Sequence, residues 1–167
     1  MFGPDYYRFQ VKYVEVLALD SELLGNYEKW GNWKALPPLS PGMEAESQKM
    51  ITWLGKQAGT CKGKVFIAVQ HIPLFRDNGF PDSNAYWIVN AHYAQLEMGL
   101  FHKLGVKHLL AGHWHIGRVF KHDGITVHVA PATSWLPFGG KLGFAMQTIT
   151  PEGDVRTEFV PLPDAKP

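Results

Sequence analysis

Two histidines one residue apart, His113 and His115, stand in the run Gly112-His113-Trp114-His115, directly after the apolar stretch Leu109-Leu110-Ala111. A third, His71, follows Val65-Phe66-Ile67-Ala68-Val69-Gln70. Neutral imidazole is a good ligand for zinc, iron, manganese or nickel. On an extended segment the side chains at i and i+2 point the same way, and Gly112 would let the backbone turn sharply at the strand end. Open α/β sheets build their sites beyond the carboxyl ends of their strands, so both histidine groups fall where a cleft is expected. The pattern points to a divalent transition metal, one or two ions, and to metal-assisted hydrolysis. A His-X-His pair alone also occurs where a histidine caps a loop; His71 at an equivalent strand end is what favours metal. His92, His102, His108, His122 and His128 read as surface or satisfied core residues.

The elements that must position these residues alternate between strand and helix. Strands are expected over 6–10 and 14–19, followed by a Trp- and Pro-rich connection over 24–41. A helix over 43–58 has Ser40 as N-cap, Pro41 at its first position, an apolar face of Met50, Ile51, Leu54 and Ala58, and Gly59 as its stop. A buried strand over 64–69 ends at Gln70-His71, and a long loop over 72–89 carries Arg76, Tyr86 and Trp87. A second helix, 90–104, presents Leu96, Leu100 and Leu104 on one face and is capped by Gly105. The strand over 106–111 then leads into the Gly-His-Trp-His turn. Hairpin strands follow over 118–121 and 125–130 around Asp123-Gly124, and over 144–150 and 155–160, with 161–167 as a loose tail.

Composition limits the function classes. With 167 residues and 46% hydrophobic content the chain can build one globular core. A net charge of +1 makes no broad electrostatic case for nucleic acid or an anionic membrane. The single cysteine excludes an intrachain disulfide and a multi-cysteine zinc site, and weakly suits a reducing, cytoplasmic setting. No signal-peptide pattern opens the chain, and no apolar run approaches membrane-spanning length.

The segments in this order resemble the calcineurin-like metallophosphoesterase family. Gln70-His71-Ile72-Pro73-Leu74-Phe75 looks like the family's fourth motif and Leu110-Ala111-Gly112-His113-Trp114-His115 like its fifth, Gly-His-X-His. Phe2 to Phe9 and Val16 to Ser21 are similar to the two strands after the third motif, and Ser83 to Val89 resembles a loop of the branch related to the phosphoprotein phosphatases. The resemblance implies an α/β (α+β by some schemes) fold, a partial αββα sandwich with mixed sheets, forming one truncated domain over 1–167. It implies hydrolysis of phosphate mono- or diesters, with His71 and His113 on one metal of a pair and His115 on the other. The family's first three motifs, Asp-X-His, Gly-Asp-X-X-Asp and Gly-Asn-His-Asp or Glu, do not occur. The chain therefore looks like the C-terminal half of a metallophosphoesterase, lacking the bridging aspartate, the asparagine ligand and the histidine that assists the leaving group.

Half a sandwich would leave the strands over 64–69 and 106–111 without neighbours and expose an apolar face. A homodimer, or a chain supplying the missing half, would cover it. Alone, His71, His113 and His115 could hold a mononuclear site with an open water position. Asp20, Asp77 and Asp82 are candidate carboxylates, each also suited to a turn, and Thr133 and Ser134 suit a turn better than a nucleophile. Arg76, Tyr86, Trp87 and Trp114 are candidate substrate contacts: the arginine for phosphate, the aromatics for an organic leaving group. Packing of the long loop is the competing role for these four. Two further readings remain: a non-catalytic metal-binding or scaffolding remnant, and a fragment of a longer gene.

Overall fold

A computed structural model of the chain describes residues 4–25, 39–58, 60 and 65–163. Most of the expected connection over 24–41, together with Gly59, Cys61 and the end of the tail, lies outside the described residues.

The fold is α/β, as expected. Its main sheet has six strands in the order β1-β2-β3-β4-β6-β5, formed by β1 (Tyr7–Val11), β2 (Val14–Ala18), β3 (Val65–Val69), β4 (His108–Ala111), β5 (Arg118–His122) and β6 (Ile125–Val129). β2, β3, β4 and β6 run parallel, and β1 and β5 close the two edges as antiparallel partners. The sheet is therefore mixed, and all four parallel strands finish along one rim. The strands over 64–69 and 106–111 are not left without neighbours: β3 lies between β2 and β4, and β4 between β3 and β6. The strand Val14–Ala18 and the hairpin after the Gly-His-Trp-His turn supply the pairing that the sequence reading left open.

One face of this sheet packs against α2 (Pro41–Lys56) and α3 (Ala91–Leu104) through Leu17, Phe66, Ala68, Leu109, Val127 and Val129. Ser40 caps α2, its hydroxyl accepting from the Met43 N–H at 3.3 Å, with Pro41 at the first position. Met50, Ile51 and Leu54 are buried, whereas Ala58 is exposed beyond the helix end. α3 starts at the Asn90 cap and stops at Gly105, which takes φ 76°. Its buried row is not Leu96-Leu100-Leu104: Leu96 is exposed, and Tyr93, Ala94, Glu97, Met98, Phe101 and Leu104 face the sheet. Two apolar rows overlap on this helix, and the one with Tyr93 and Phe101 offers more area to bury, even at the cost of carrying Glu97 inside. A short helix, α1 (Glu22–Gly25), runs into the start of the expected connection; its Leu24 is fully buried.

The other face is covered in part by a two-stranded antiparallel sheet, β7 (Gly143–Ile149) and β8 (Val155–Pro161). A polar chain pins it to the main sheet. Thr157 Oγ1 donates to Gln147 Oε1 at 2.7 Å, so the His128 ring donates from Nδ1 to Thr157 Oγ1 at 2.6 Å. His128 Nε2 is then bare and accepts from His108 Nδ1 at 3.0 Å. The Tyr13 hydroxyl adds a bond to the Ile149 carbonyl at 2.7 Å. Apolar surface stays uncovered elsewhere: Tyr7, Phe9 and Val11 on β1, and Phe144 and Met146 on the outer face of β7. Among the described residues no helix is long and apolar enough to cross a membrane.

His128 is 2% exposed, and burial, then the nearby His108, pushes its pKa from 6.5 down to about 4. Between those values the unfolded chain binds a proton that the folded chain refuses, so this contribution to stability is complete above 6.5 and lost as pH falls towards 4. His128→Gln should flatten the acid side of the stability profile by about 3 kcal/mol. Urea unfolding at pH 7 and pH 4.5 checks this; an unchanged difference between the two pH values would contradict it.

Candidate functional site

β3 and β4 end together, with Val69 opposite Leu110, and the pairing continues past both ends: Gln70 N–H donates to Leu110 O at 3.1 Å and Gly112 N–H to His71 O at 2.9 Å. His71 and the histidine turn are thus locked side by side above the strand ends. Where the sequence suggested an extended pair on a glycine hinge, the backbone does something else. His113 and His115 both adopt left-handed conformations, at φ 67° and 58°, and Gly112 does not. Such φ values are uncommon for residues with a side chain and cluster at functional sites. Between them Trp114 is fully buried, its indole N–H donating to Trp87 O at 2.6 Å and its ring stacked on Phe120. The buried indole anchors the turn from inside while its two neighbours face the cleft.

His113 Nε2 lies 3.0 Å from Tyr86 O, a carbonyl that can only accept, so the proton sits on Nε2 and Nδ1 is bare. That bare nitrogen is 3.1 Å from His71 Nε2. His115 Nδ1 donates to Trp135 O at 2.8 Å, which leaves its Nε2 bare. Both histidines of the turn therefore spend one N–H on a backbone carbonyl, the outer-shell arrangement that fixes ring orientation in metal-ligating histidines. Burial holds His113 neutral by lowering its pKa to about 4, and burial and then His115 lower that of His71. The His113 Nδ1 lone pair is turned towards His71 Nε2, so a metal ion held there would replace that contact, and its binding requires both rings neutral.

The three rings line one cleft of about 230 Å³ with Gly112 and Ala130 to Ser134. The last stretch follows β6, the next parallel strand, and a bond from Ala130 N–H to Ala111 O holds it beside the turn. Thr133 and Ser134 are exposed on this wall. Turn roles were all that the sequence pattern offered for them, and Trp135 carries no distinguishing local signal beyond Ala130-Pro131-Ala132 at a parallel strand end.

The carboxylates go elsewhere. Asp20 accepts from Glu22 N–H at the start of α1, Asp77 pairs with Arg118, and Asp82 accepts from the Trp87 indole at 2.8 Å and from Asn84 N–H. The Trp87 bond is the main cause of the lowered Asp82 pKa. Among the described residues, no group of three or more His, Cys, Asp or Glu is gathered closely enough to hold a metal ion. The imidazoles thus fit part of a ligand set and do not complete one. Of the candidate substrate contacts, Tyr86 lies against His113, with ring centroids 4.6 Å apart. Trp87 and Trp114 belong to the interior, and Arg76 donates to Asn84 O within the long loop. These three pack the loop because Asp82, Phe80 and Phe138 complete its small core.

Behind the site lies a buried acid. Glu97 is 0% exposed, and burial pushes its carboxyl from 4.5 up to about 8. The side chain of Gln70 draws it back in part, though among the described residues no hydrogen bond of ordinary length reaches the Glu97 carboxyl.

No family model matches the chain, and no curated protein sequence does. Solved structures do resemble it. GAP50, the anchor in the inner membrane complex of Plasmodium, is 15% identical with a TM-score of 0.59, over 93% of this chain and 49% of that one. A dimetal phosphatase from Danio rerio is 16% identical with a TM-score of 0.57, over 85% of this chain and 53% of that one. The chain spans about half the length of both, and the likeness is one of fold.

Between pH 4.5 and about 8 folded Glu97 keeps a proton that the unfolded chain has released, so stability falls as pH rises across that window and levels off above it. Glu97→Gln should remove the loss, raising stability at pH 8 by on the order of 4 kcal/mol relative to its effect at pH 4. Thermal unfolding at the two pH values tests this; a variant no more stable at pH 8 than at pH 4, relative to the parent, would refute a protonated Glu97.

Proposed function

We propose that the chain carries the histidine half of a metal-dependent phosphoesterase site, acting on phosphate mono- or diesters. The observation that supports this most is the pair of left-handed histidines, each fixed through one nitrogen by a backbone carbonyl and turned, with His71, into one cleft. His71 and His113 would hold one divalent ion (zinc, manganese, iron or nickel), and His115 the same ion or a second. Such an ion supplies charge to polarise phosphoryl oxygens and to activate water as a nucleophile. The chain's own residues do the rest. Gly112, Ala130 and Ala132 are the small residues of the lining against which a phosphoryl group would lie, the exposed hydroxyls of Thr133 and Ser134 would donate to its oxygens, and the Tyr86 carbonyl keeps His113 in one tautomer. Because Asp20, Asp77 and Asp82 are engaged elsewhere, the carboxylate ligands would come from another chain: a second copy in a homodimer, or one bearing the complementary half of the fold.

A second reading, a domain that binds or anchors without turnover, is favoured by the incomplete ligand set and by the likeness to an anchor protein. Zinc or manganese titration of the purified chain, with assays on 4-nitrophenyl phosphate and bis(4-nitrophenyl) phosphate, separates the two. The first reading expects metal binding and hydrolysis, both weakened in His113→Ala by at least the ~10- to 100-fold that loss of an outer-shell partner costs. Metal bound without turnover favours the second; no metal bound rejects the first.

A further inference from the structure

Trp135 is the most exposed of the large hydrophobic side chains described, at 60%. It is also the residue whose carbonyl holds His115, and its indole stands edge to face with the His115 ring at 5.0 Å between centroids. The residues immediately before it, Ala130 to Ser134, form the wall of the histidine cleft. An indole normally contributes a large buried area to the interior, as Trp87 and Trp114 do here. Trp135 instead leaves most of its surface in water, directly after the cleft-lining stretch and against His115, itself a lining residue. Its one aromatic contact among the described residues leaves at least one face of the indole open.

We propose that Trp135 is a stacking platform for a flat aromatic or heteroaromatic group on the phosphate ester, which makes aryl or nucleoside phosphates, rather than sugar or alkyl phosphates, the substrate class. The inference rests on the phosphoesterase reading for the placement of the phosphoryl group. The edge-to-face contact with the His115 ring orients the indole, so less freedom is lost when a planar group stacks on it. Ala130 and Ala132, which line the cleft, are small side chains that take up little of its space. Stacking tolerates any π face, so the platform selects flat groups as a class.

Calorimetric titration of the full chain in Mn²⁺-containing buffer with AMP, adenosine, ribose 5-phosphate and inorganic phosphate tests this. AMP should bind roughly 10-fold more tightly than ribose 5-phosphate. Trp135→Ala, which keeps the carbonyl used by His115, should erase that preference, so that AMP and ribose 5-phosphate bind alike, and Trp135→Phe should retain most of it. Equal binding of AMP and ribose 5-phosphate, or a preference that survives Trp135→Ala, overturns the proposal while leaving the phosphate site intact. Trp135-dependent binding of AMP and adenosine alike, with none of inorganic phosphate, supports the platform and removes the phosphoesterase reading. Failure of all four ligands to bind overturns both.

Discussion

The geometry of the cleft depends on one buried contact, the Trp114 indole held in the core by the Trp87 carbonyl. Left-handed backbone at His113 and His115 costs free energy at each residue and persists only where the surroundings over-determine it. Burial of the intervening indole, with its stack on Phe120 and its contact with Phe80, supplies that determination. The long loop before α3 has the same dependence. Trp87, which accepts the Trp114 bond, itself donates to Asp82, and Phe80 and Phe138 close around it. The tryptophan in the middle of the motif is therefore as necessary to it as the histidines on either side.

The electrostatics of the rim follow from the same packing. Burial keeps the His113 ring uncharged and lowers the pKa of His71, and backbone carbonyls, not carboxylates, take the outer N–H groups of His113 and His115. A site arranged this way offers lone pairs and little negative charge of its own. It would leave a divalent cation with most of its charge available to anionic ligands, whether phosphate oxygens or carboxylates from another chain. Glu97, close behind Gln70, keeps to this rule, since burial holds it protonated and neutral.

Much of this was readable from local pattern. The apolar runs ending in histidine, the Ser40-Pro41 start and the Gly105 stop each carry their own physical signal, and each stands where expected. The left-handed turn was not readable, because Gly112 advertises a hinge while the strain is absorbed by the residues on either side of Trp114. Nor was the fate of the aromatic candidates. Trp87 and Trp114 differ from Trp135 only in tertiary surroundings, and a stretch of sequence does not say which indole is drawn inside. On α3 two overlapping apolar rows competed, and the aromatic one prevailed by area in spite of Glu97. The neighbours of β3 and β4 came from segments far away in sequence, which periodicity cannot pair.

That strand order has a kinetic side. Val65–Val69 sits between a strand that ends at Ala18 and one that begins at His108, and β4 in turn waits for β6, with β5 inserted between them in sequence. None of the parallel pairs at the centre can be closed by a tight turn, so each carries a substantial loop-closure entropy before its contacts reward it. The antiparallel hairpins β1–β2, β5–β6 and β7–β8 are local and can form early. The rim that brings His71 beside His113 is built from pairings far apart in sequence, so the cleft exists only once that loop-closure cost has been met.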